Sequence, residues 1–353
     1  MGCDQESSVE EQKIPKLISF CIPTYNRAKY LRRTLESMLS QVGPDVELVI
    51  SDNGSTDDTH ALVRRYQQIF PHLLYVRNGA NLGYDLNLLR CLKLARAEYV
   101  WFFGSDDLLN EGAVETVRRR IREARTRPAL VYLNHQVVDN QGTLLIANQI
   151  GREEDGEFPS GSACVARLGL HLGYMSALVL RRQDCLLQAA DTECVGSGWI
   201  HLHLVLGCLR AGGAIAYVGR PLVRARRSVS LDYDLTDRFV QGANRVFWRA
   251  RRHGYRWFTI YRAMNHTVRS HFVPVVLAWR CDNPRELERF FLALLRDCWM
   301  YPWFWLLAVP GRFIPRWLAV TLRQGVRWLR ARRNRRPGSL VATPTRRNAG
   351  LAP

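Results

Sequence analysis

From residue 16 onward, short apolar runs alternate with amphipathic stretches. LISFCIP at 17–23 is almost continuously apolar, the pattern of a strand buried on both faces. Residues 28–41 then place Tyr30, Leu31, Leu35, Met38 and Leu39 on one helical face. VELVIS at 46–51 predicts a second strand. It runs into the turn signal Asp52-Asn53-Gly54 and then Ser55-Thr56-Asp57-Asp58, read as the caps and acidic first turn of a helix that continues over 62–70. A third strand is predicted at 73–77, a turn at 78–83, a helix at 84–95 and a fourth strand at 99–103.

The middle of the chain mixes predicted strands at 129–133, 177–180 and 214–218 with helices at 113–126 and 199–211. Residues 151–163 are charged, irregular and glycine-containing, and read as a mobile lid. After residue 234 the chain turns to arginine- and aromatic-rich helices. The division is a disordered lead at 1–15, one α/β domain at 16–235 with halves at 16–110 and 111–235, and a helical region at 236–353 ending in a disordered tail.

Strand–helix alternation with apolar strands implies a Rossmann-like, mostly parallel sheet with helices on both faces. Ligands bind beyond the carboxyl ends of such strands. Three polar clusters fall there, at 24–27, 52–55 and 105–107. VWFFGSDDLL at 100–109 carries a buried-looking strand into two adjacent carboxylates, Asp106 and Asp107. Neighbouring carboxylates repel, and a plain turn needs only one. The pair suits a hard divalent cation, Mn²⁺ or Mg²⁺, whose usual work is to hold a diphosphate and take up leaving-group charge. Arg27 supplies further neutralisation. No G-x-x-x-x-G-K-S/T and no G-x-G-x-x-G follows the first strand, which argues against P-loop hydrolysis and dinucleotide binding.

Composition is ordinary for a globular chain of 353 residues, at 47% hydrophobic and 23% charged, but the net charge of +18 is not. It favours anionic partners. Eleven arginines and no acid follow Asp297, so +11 of the +18 sits in the last 56 residues. Just before, 299–322 (WMYPWFWLLAVPGRFIPRWLAVTL) is broken by three prolines and two arginines, which makes it a poor membrane span. Its tryptophans and the basic stretch 322–336 suit an interfacial segment on an anionic membrane surface. No recognition motif supports nucleic acid as the partner. The nine cysteines form no C-x-x-C pair and fit reduced, buried thiols of a cytosolic protein, and the polar N-terminus shows no secretory signal. Nothing in the sequence fixes an oligomeric state.

Taken in order, Ile22-Pro23-Thr24-Tyr25-Asn26-Arg27, Val49 to Asp57 (VISDNGSTD), Asn81-Leu82-Gly83 and Ser105-Asp106-Asp107 resemble the signature of the inverting family 2 glycosyltransferases, which have a GT-A fold. The WFFGSDD version is most similar to the abequosyltransferase-like members that build bacterial O-antigen or capsule repeats. The resemblance is strong over 16–110, the nucleotide-sugar half, and looser over 111–235, the acceptor half. It implies a nucleotide-sugar donor and a lipid-linked acceptor of the undecaprenyl-diphosphate type, met by a peripheral enzyme at the cytoplasmic face of the inner membrane. Pro23, Thr24, Tyr25 and Arg27 would line the donor pocket. Asp52 would bind the base with Asn53 beside it. Asp106 would face the ribose or sugar, and Asp107 would ligate the metal.

Two positions depart from the pattern. Serine stands first in the D-x-D-type motif, so metal dependence is expected to rest mainly on Asp107. An inverting transfer also needs a general base at the acceptor hydroxyl. Family members place a Glu-Asp pair at a helix start where this chain reads GSGWIHLHLVL, and His201 stands there instead. Asp191 and Glu193 are the alternatives, with His203 a competitor. Arg224, Arg226 and Arg227 meet the diphosphate or are surface charge. A nucleotidyltransferase and an inactive nucleotide-binding scaffold are the rival functions.

Overall fold

In the computed structural model, which describes residues 15–227 and 236–321, ten strands form one sheet. They are β1 (Ile18–Thr24), β2 (Val46–Asp52), β3 (Leu73–Arg77), β4 (Tyr99–Phe102), β5 (Leu108–Leu109), β6 (Leu130–Val138), β7 (Leu144–Ile146), β8 (Gly156–Glu157), β9 (Leu178–Arg181) and β10 (Ile215–Arg226). The order is β3-β2-β1-β4-β9-β6-β10-β5, with β7 beside β6 and β8 beside β10. β3, β2, β1 and β4 pair in parallel, as do β6 and β10. β9 runs antiparallel between β4 and β6, so those two point the same way. The sheet is therefore mixed, although β1, β2, β3, β4, β6 and β10 deliver their carboxyl ends to one edge.

The helices are α1 (Ala28–Met38), α2 (Thr59–Gln67), α3 (Tyr84–Leu94), α4 (Ala113–Glu123), α5 (Gly161–Leu168), α6 (Arg182–Gln188), α7 (Ile200–Ala211), α8 (Ala243–Arg249), α9 (Trp257–Thr267), α10 (Val273–Asp282), α11 (Pro284–Cys298) and α12 (Val309–Phe313). Every residue of β1 and β2 is buried, as a strand covered on both faces requires. α1 buries Leu31, Thr34, Leu35 and Met38, an i, i+3, i+4, i+7 stripe. α7 is buried from Ile200 to Leu209 on every side, so His201 and His203 are interior residues. One hydrophobic core runs from Ile18 to Ala308 and includes Phe272, Phe290, Tyr301 and Phe304, so the helices after residue 236 pack on the core of the sheet domain.

Two expectations are corrected. Residues 151–163 are fastened to the sheet: the Arg152 carbonyl accepts from the Tyr217 hydroxyl at 2.7 Å, Asp155 accepts from the Gly219 N–H at 2.8 Å, and β8 pairs with β10. Among its charges, Asp155 meets Arg120 and the Arg152 guanidinium lies 5.2 Å from the Tyr217 ring centre, so this end of the segment is tied down rather than free as a lid. Ser55 and Thr56 do not cap α2, which begins at Thr59. Asp57 accepts from the Thr59 N–H at 3.1 Å, while the Ser55 hydroxyl accepts from the Asn26 N–H at 2.9 Å.

The eight cysteines within the described residues are all buried free thiols. Among the described residues no helix is long and apolar enough to cross a membrane. The C-terminal helices nevertheless show an apolar outer surface. Of 18 exposed large hydrophobic residues among those described, 12 lie between Trp257 and Val320, with Trp305 at 52%, Phe313 at 69% and Trp317 at 69% exposure. The basic stretch 322–336 lies outside the described residues.

Candidate active site

The loops at the carboxyl edge are bolted to one another. Asn26 takes a left-handed conformation, φ 51°, and its side-chain oxygen accepts from the Thr56 N–H at 2.8 Å. The Ala28 N–H donates to Asp57 at 3.0 Å. These bonds join the turn after β1 to the turn after β2. Asp52 is 0% exposed, with one oxygen accepting from the Ser55 N–H at 2.9 Å and the other from the Tyr75 hydroxyl at 2.6 Å. Asn53, 3% exposed, accepts from the Leu82 N–H at 2.9 Å and from Asn78 at 3.0 Å, which anchors the 78–83 turn. Both residues thus build the platform from inside. Pro23 and Thr24 are buried beneath it, the Thr24 hydroxyl has no hydrogen-bond partner, and the Tyr25 ring is 43% exposed.

Asp106 and Asp107 follow β4, as expected, and differ in setting. Asp107 is 5% exposed. One oxygen accepts from the Ser176 hydroxyl at 2.5 Å and the other from the Arg226 N–H at 3.1 Å. Ser176 also accepts from the Gly104 N–H at 2.8 Å, and the Thr34 hydroxyl contacts the Ser105 and Asp107 carbonyls at 3.1 and 2.8 Å. A Cβ on Gly104 would come within 2.7 Å of the Asp107 carboxylate, so glycine is required where this strand meets the pair. The Asp106 carboxylate is 27% exposed, 4.0 Å from the Arg27 guanidinium. Arg226 donates from Nε to the Asp106 carbonyl at 3.2 Å. Of the three arginines near the end of β10, Arg226 reaches the pair. Arg224 pairs through its backbone with Leu108 and Arg227 with the Val138 carbonyl.

Burial, and then the charge of Asp106, push Asp107 up to about 7. Burial raises Asp106 also, against the pull of Arg27. Two carboxylates whose charges are poorly solvated and mutually opposed suit a divalent cation, and oxygen donors are what Mn²⁺ and Mg²⁺ take. Among the described residues no group of three or more His, Cys, Asp or Glu side chains gathers to hold a metal, so phosphate oxygens and water would complete the shell.

His201 lies between Tyr84 and a backbone carbonyl. Its Nε2 is 2.8 Å from the Gly173 oxygen, which only accepts, so that nitrogen carries the proton. Nδ1 lies 3.1 Å from the Tyr84 hydroxyl and accepts from it. Both nitrogens are occupied within the protein, and burial holds the imidazole below its usual pKa, hence neutral. The carboxylate missing from the start of α7 is supplied in space by Asp85 of α3, which accepts from the Gly198 and Ile200 N–H groups at 2.9 and 3.2 Å. Asp191 pairs with Arg249 at 3.2 Å, and Glu193 with Arg252 at 3.1 Å and with Arg249. His203 is 1% exposed, 3.8 Å from Asp191. Ser176, Thr34, Tyr84 and Asp85 are the site residues that sequence reasoning missed. Asp85 alone had a local signal, as an acid in a helix's first turn.

Residues 19–154 match the model of glycosyl transferase family 2. Abequosyltransferase RfbV of Salmonella typhimurium is 31% identical over 227 residues, covering 60% of this chain and 66% of that protein. A GalNAc(5)-diNAcBac-PP-undecaprenol beta-1,3-glucosyltransferase of Campylobacter jejuni is 33% identical over 111 residues, 31% of this chain and 36% of its own. This chain thus spans just under two thirds of the first relative and about a third of the second. Among solved structures, Staphylococcus aureus TarS 1–349 in complex with UDP-GlcNAc superposes with TM-score 0.63 at 18% identity, over 88% of this chain and 92% of that one. Mannosyltransferase PcManGT of Pyrobaculum calidifontis, with GDP-Man and Mn²⁺, gives 0.53 at 18%, over 91% and 87%. Residues 19–154, which hold the carboxyl-edge platform and its aspartate pair, thus form a segment that matches glycosyl transferase family 2, on a GT-A fold.

Proposed function

We propose that the chain is an inverting glycosyltransferase that moves a sugar from a nucleotide-sugar to a lipid-linked glycan in bacterial O-antigen or capsule synthesis. The observation that carries this reading is the Asp106–Asp107 pair, set at the carboxyl edge between Arg27 and Arg226. Tyr25, above Pro23 and Thr24, faces the nucleotide, on the platform that Asp52 and Asn53 hold. Asp106 meets the ribose or sugar. Asp107 would hold Mn²⁺ or Mg²⁺ together with the donor diphosphate. When bound, that ion supplies stabilisation of the leaving diphosphate. Arg27 and Arg226 add fixed positive charge beside it.

For the acceptor's proton we propose His201 acting through Tyr84. Tyr84 takes the proton from the acceptor hydroxyl as it passes its own to Nδ1. The imidazolium that forms keeps its Nε2 proton on the Gly173 carbonyl, and the charge of nearby Asp85 favours it. Asp191 and Glu193 are committed to arginines and are weaker candidates. The lipid-linked acceptor is supported by the Campylobacter relative, a glucosyltransferase named for an undecaprenol-linked diphosphate glycan.

Calorimetry with a panel of nucleoside diphosphates tests the donor site. One of them binds at unit stoichiometry in Mn²⁺, and removing the metal weakens it about tenfold or more. Failure of every member to bind contradicts the glycosyltransferase reading.

The exposed aromatic surface supports peripheral attachment to an anionic membrane, at the cytoplasmic face of the inner membrane. Replacing Trp299, Trp305 and Trp317 together by alanine lowers cosedimentation with anionic vesicles by about tenfold, given the burial worth of interfacial aromatics. Unchanged cosedimentation would leave the attachment to the arginines or refute it.

A further inference from the structure

Beside the carboxylate pair is a cavity of about 180 Å³, lined by Lys29, Tyr30, Arg33, Asn140 and Arg226. Three of its five lining residues are cations and none is an acid. Lys29 and Arg33 stand at i and i+4 on α1 and so share a face. Neither makes an ion pair within 4 Å among the described residues. Arg226 is fixed there. Its guanidinium lies 5.2 Å from the Tyr30 ring centre, its Nη1 donates to the Asn140 carbonyl at 3.1 Å, and its Nε donates to the Asp106 carbonyl. The other neighbour of Tyr30 is Arg27, 5.6 Å from the ring centre, which turns toward the Asp106 carboxylate. Tyr30 thus lies between Arg27, whose guanidinium turns to the aspartate pair, and Arg226, which touches both the pair and the cavity.

Like charges one helical turn apart weaken a helix, and a third cation facing them adds repulsion. An anion in the cavity would offset that repulsion. Several water volumes are available, enough for a phosphate or diphosphate group. The lining also says which substrate it serves. Asn140 lies in the turn after β6, in the half assigned to the acceptor, whereas the donor diphosphate is assigned to Asp107.

We propose that this cavity is a phosphate subsite for the diphosphate of the acceptor's lipid carrier, distinct from the donor's diphosphate site. The inference rests on the glycosyltransferase reading above and adds the place where the acceptor's charge is held.

Inorganic diphosphate, titrated with Mg²⁺ in excess over all phosphate, is the probe. The protein is first saturated with the nucleoside diphosphate that binds tightest, so that the donor site is filled. Wild type then binds diphosphate still. Lys29→Gln/Arg33→Gln weakens that binding at least about tenfold, and leaves nucleoside diphosphate affinity within about twofold. Arg119→Gln/Arg122→Gln, which removes the same charge from α4, leaves the diphosphate affinity unaltered. The proposal is overturned if diphosphate binds only by displacing the nucleotide, if it does not bind, or if both double variants weaken it equally. If no nucleoside diphosphate binds, the donor reading fails, and the same titration on the protein alone still judges the cavity.

Discussion

Asp107→Asn lowers sugar transfer by on the order of 10²–10³, the cost of losing one preorganised charge at a developing leaving group. The same change stabilises the metal-free fold. Asp107 is pushed up to about 7 in the folded chain, against about 3.9 when unfolded. Between those values the folded state binds more protons, so its stability falls as pH rises from 4 to 7 and levels off above. Asparagine escapes that penalty. It accepts from the Arg226 N–H as before, and the Ser176 hydroxyl turns to accept from its amide. Thermal unfolding without divalent cation therefore shows the variant about 2–4 °C above wild type at pH 8, with the gain shrinking toward zero near pH 4. Lost activity together with a lower melting temperature would make Asp107 a structural keystone rather than a ligand. Asp106→Asn is expected to cut turnover similarly. Its carboxylate is partly exposed, so the stability gain is smaller.

Tyr84→Phe and His201→Gln each lower kcat by about 10²–10³, the usual worth of a positioned general base. Phenylalanine removes only the hydroxyl bonded to Nδ1. Glutamine can still donate to the Gly173 carbonyl and leaves little cavity. Donor affinity, read by nucleoside diphosphate calorimetry, stays within about twofold in both. Because the two residues act as one relay, the double variant loses little more than either single. Burial lowers the pKa of His201, so the acid limb of the wild-type kcat profile lies below the ordinary histidine value of about 6.5. Near wild-type turnover in either single variant refutes the relay.

The first half of the sheet is legible in sequence for a physical reason. β1, β2 and β4 are buried on both faces and separated by helices with clear apolar stripes, so composition alone marks them. Past β4 the signal thins. β5 and β8 have two residues each, too few to show a period. The four-residue β9 is apolar whichever way it runs, so its antiparallel insertion between β4 and β6 is a tertiary fact.

The site divides in the same way. Asp106 and Asp107 stand out because they are adjacent. The groups that hold them, Ser176 and Arg226, come from 69 and 119 residues away and carry no local mark. The burial of His201 was readable: IHLHLVLGCL is apolar on every side, which is the mark of an interior helix. The charges of 151–163 misled because sequence does not show that Asp155 meets Arg120 and Gly219.

The account's central claim is donor cleavage at the aspartate pair with inversion. Purified protein, Mn²⁺ and each nucleotide-sugar of a panel, incubated without acceptor and followed by NMR, test it most directly. The account predicts slow release of nucleoside diphosphate from one donor, a first-formed sugar of opposite anomeric configuration, and loss of both signals in Asp107→Asn. Retention of configuration, or release that Asp107→Asn leaves unchanged, would contradict it.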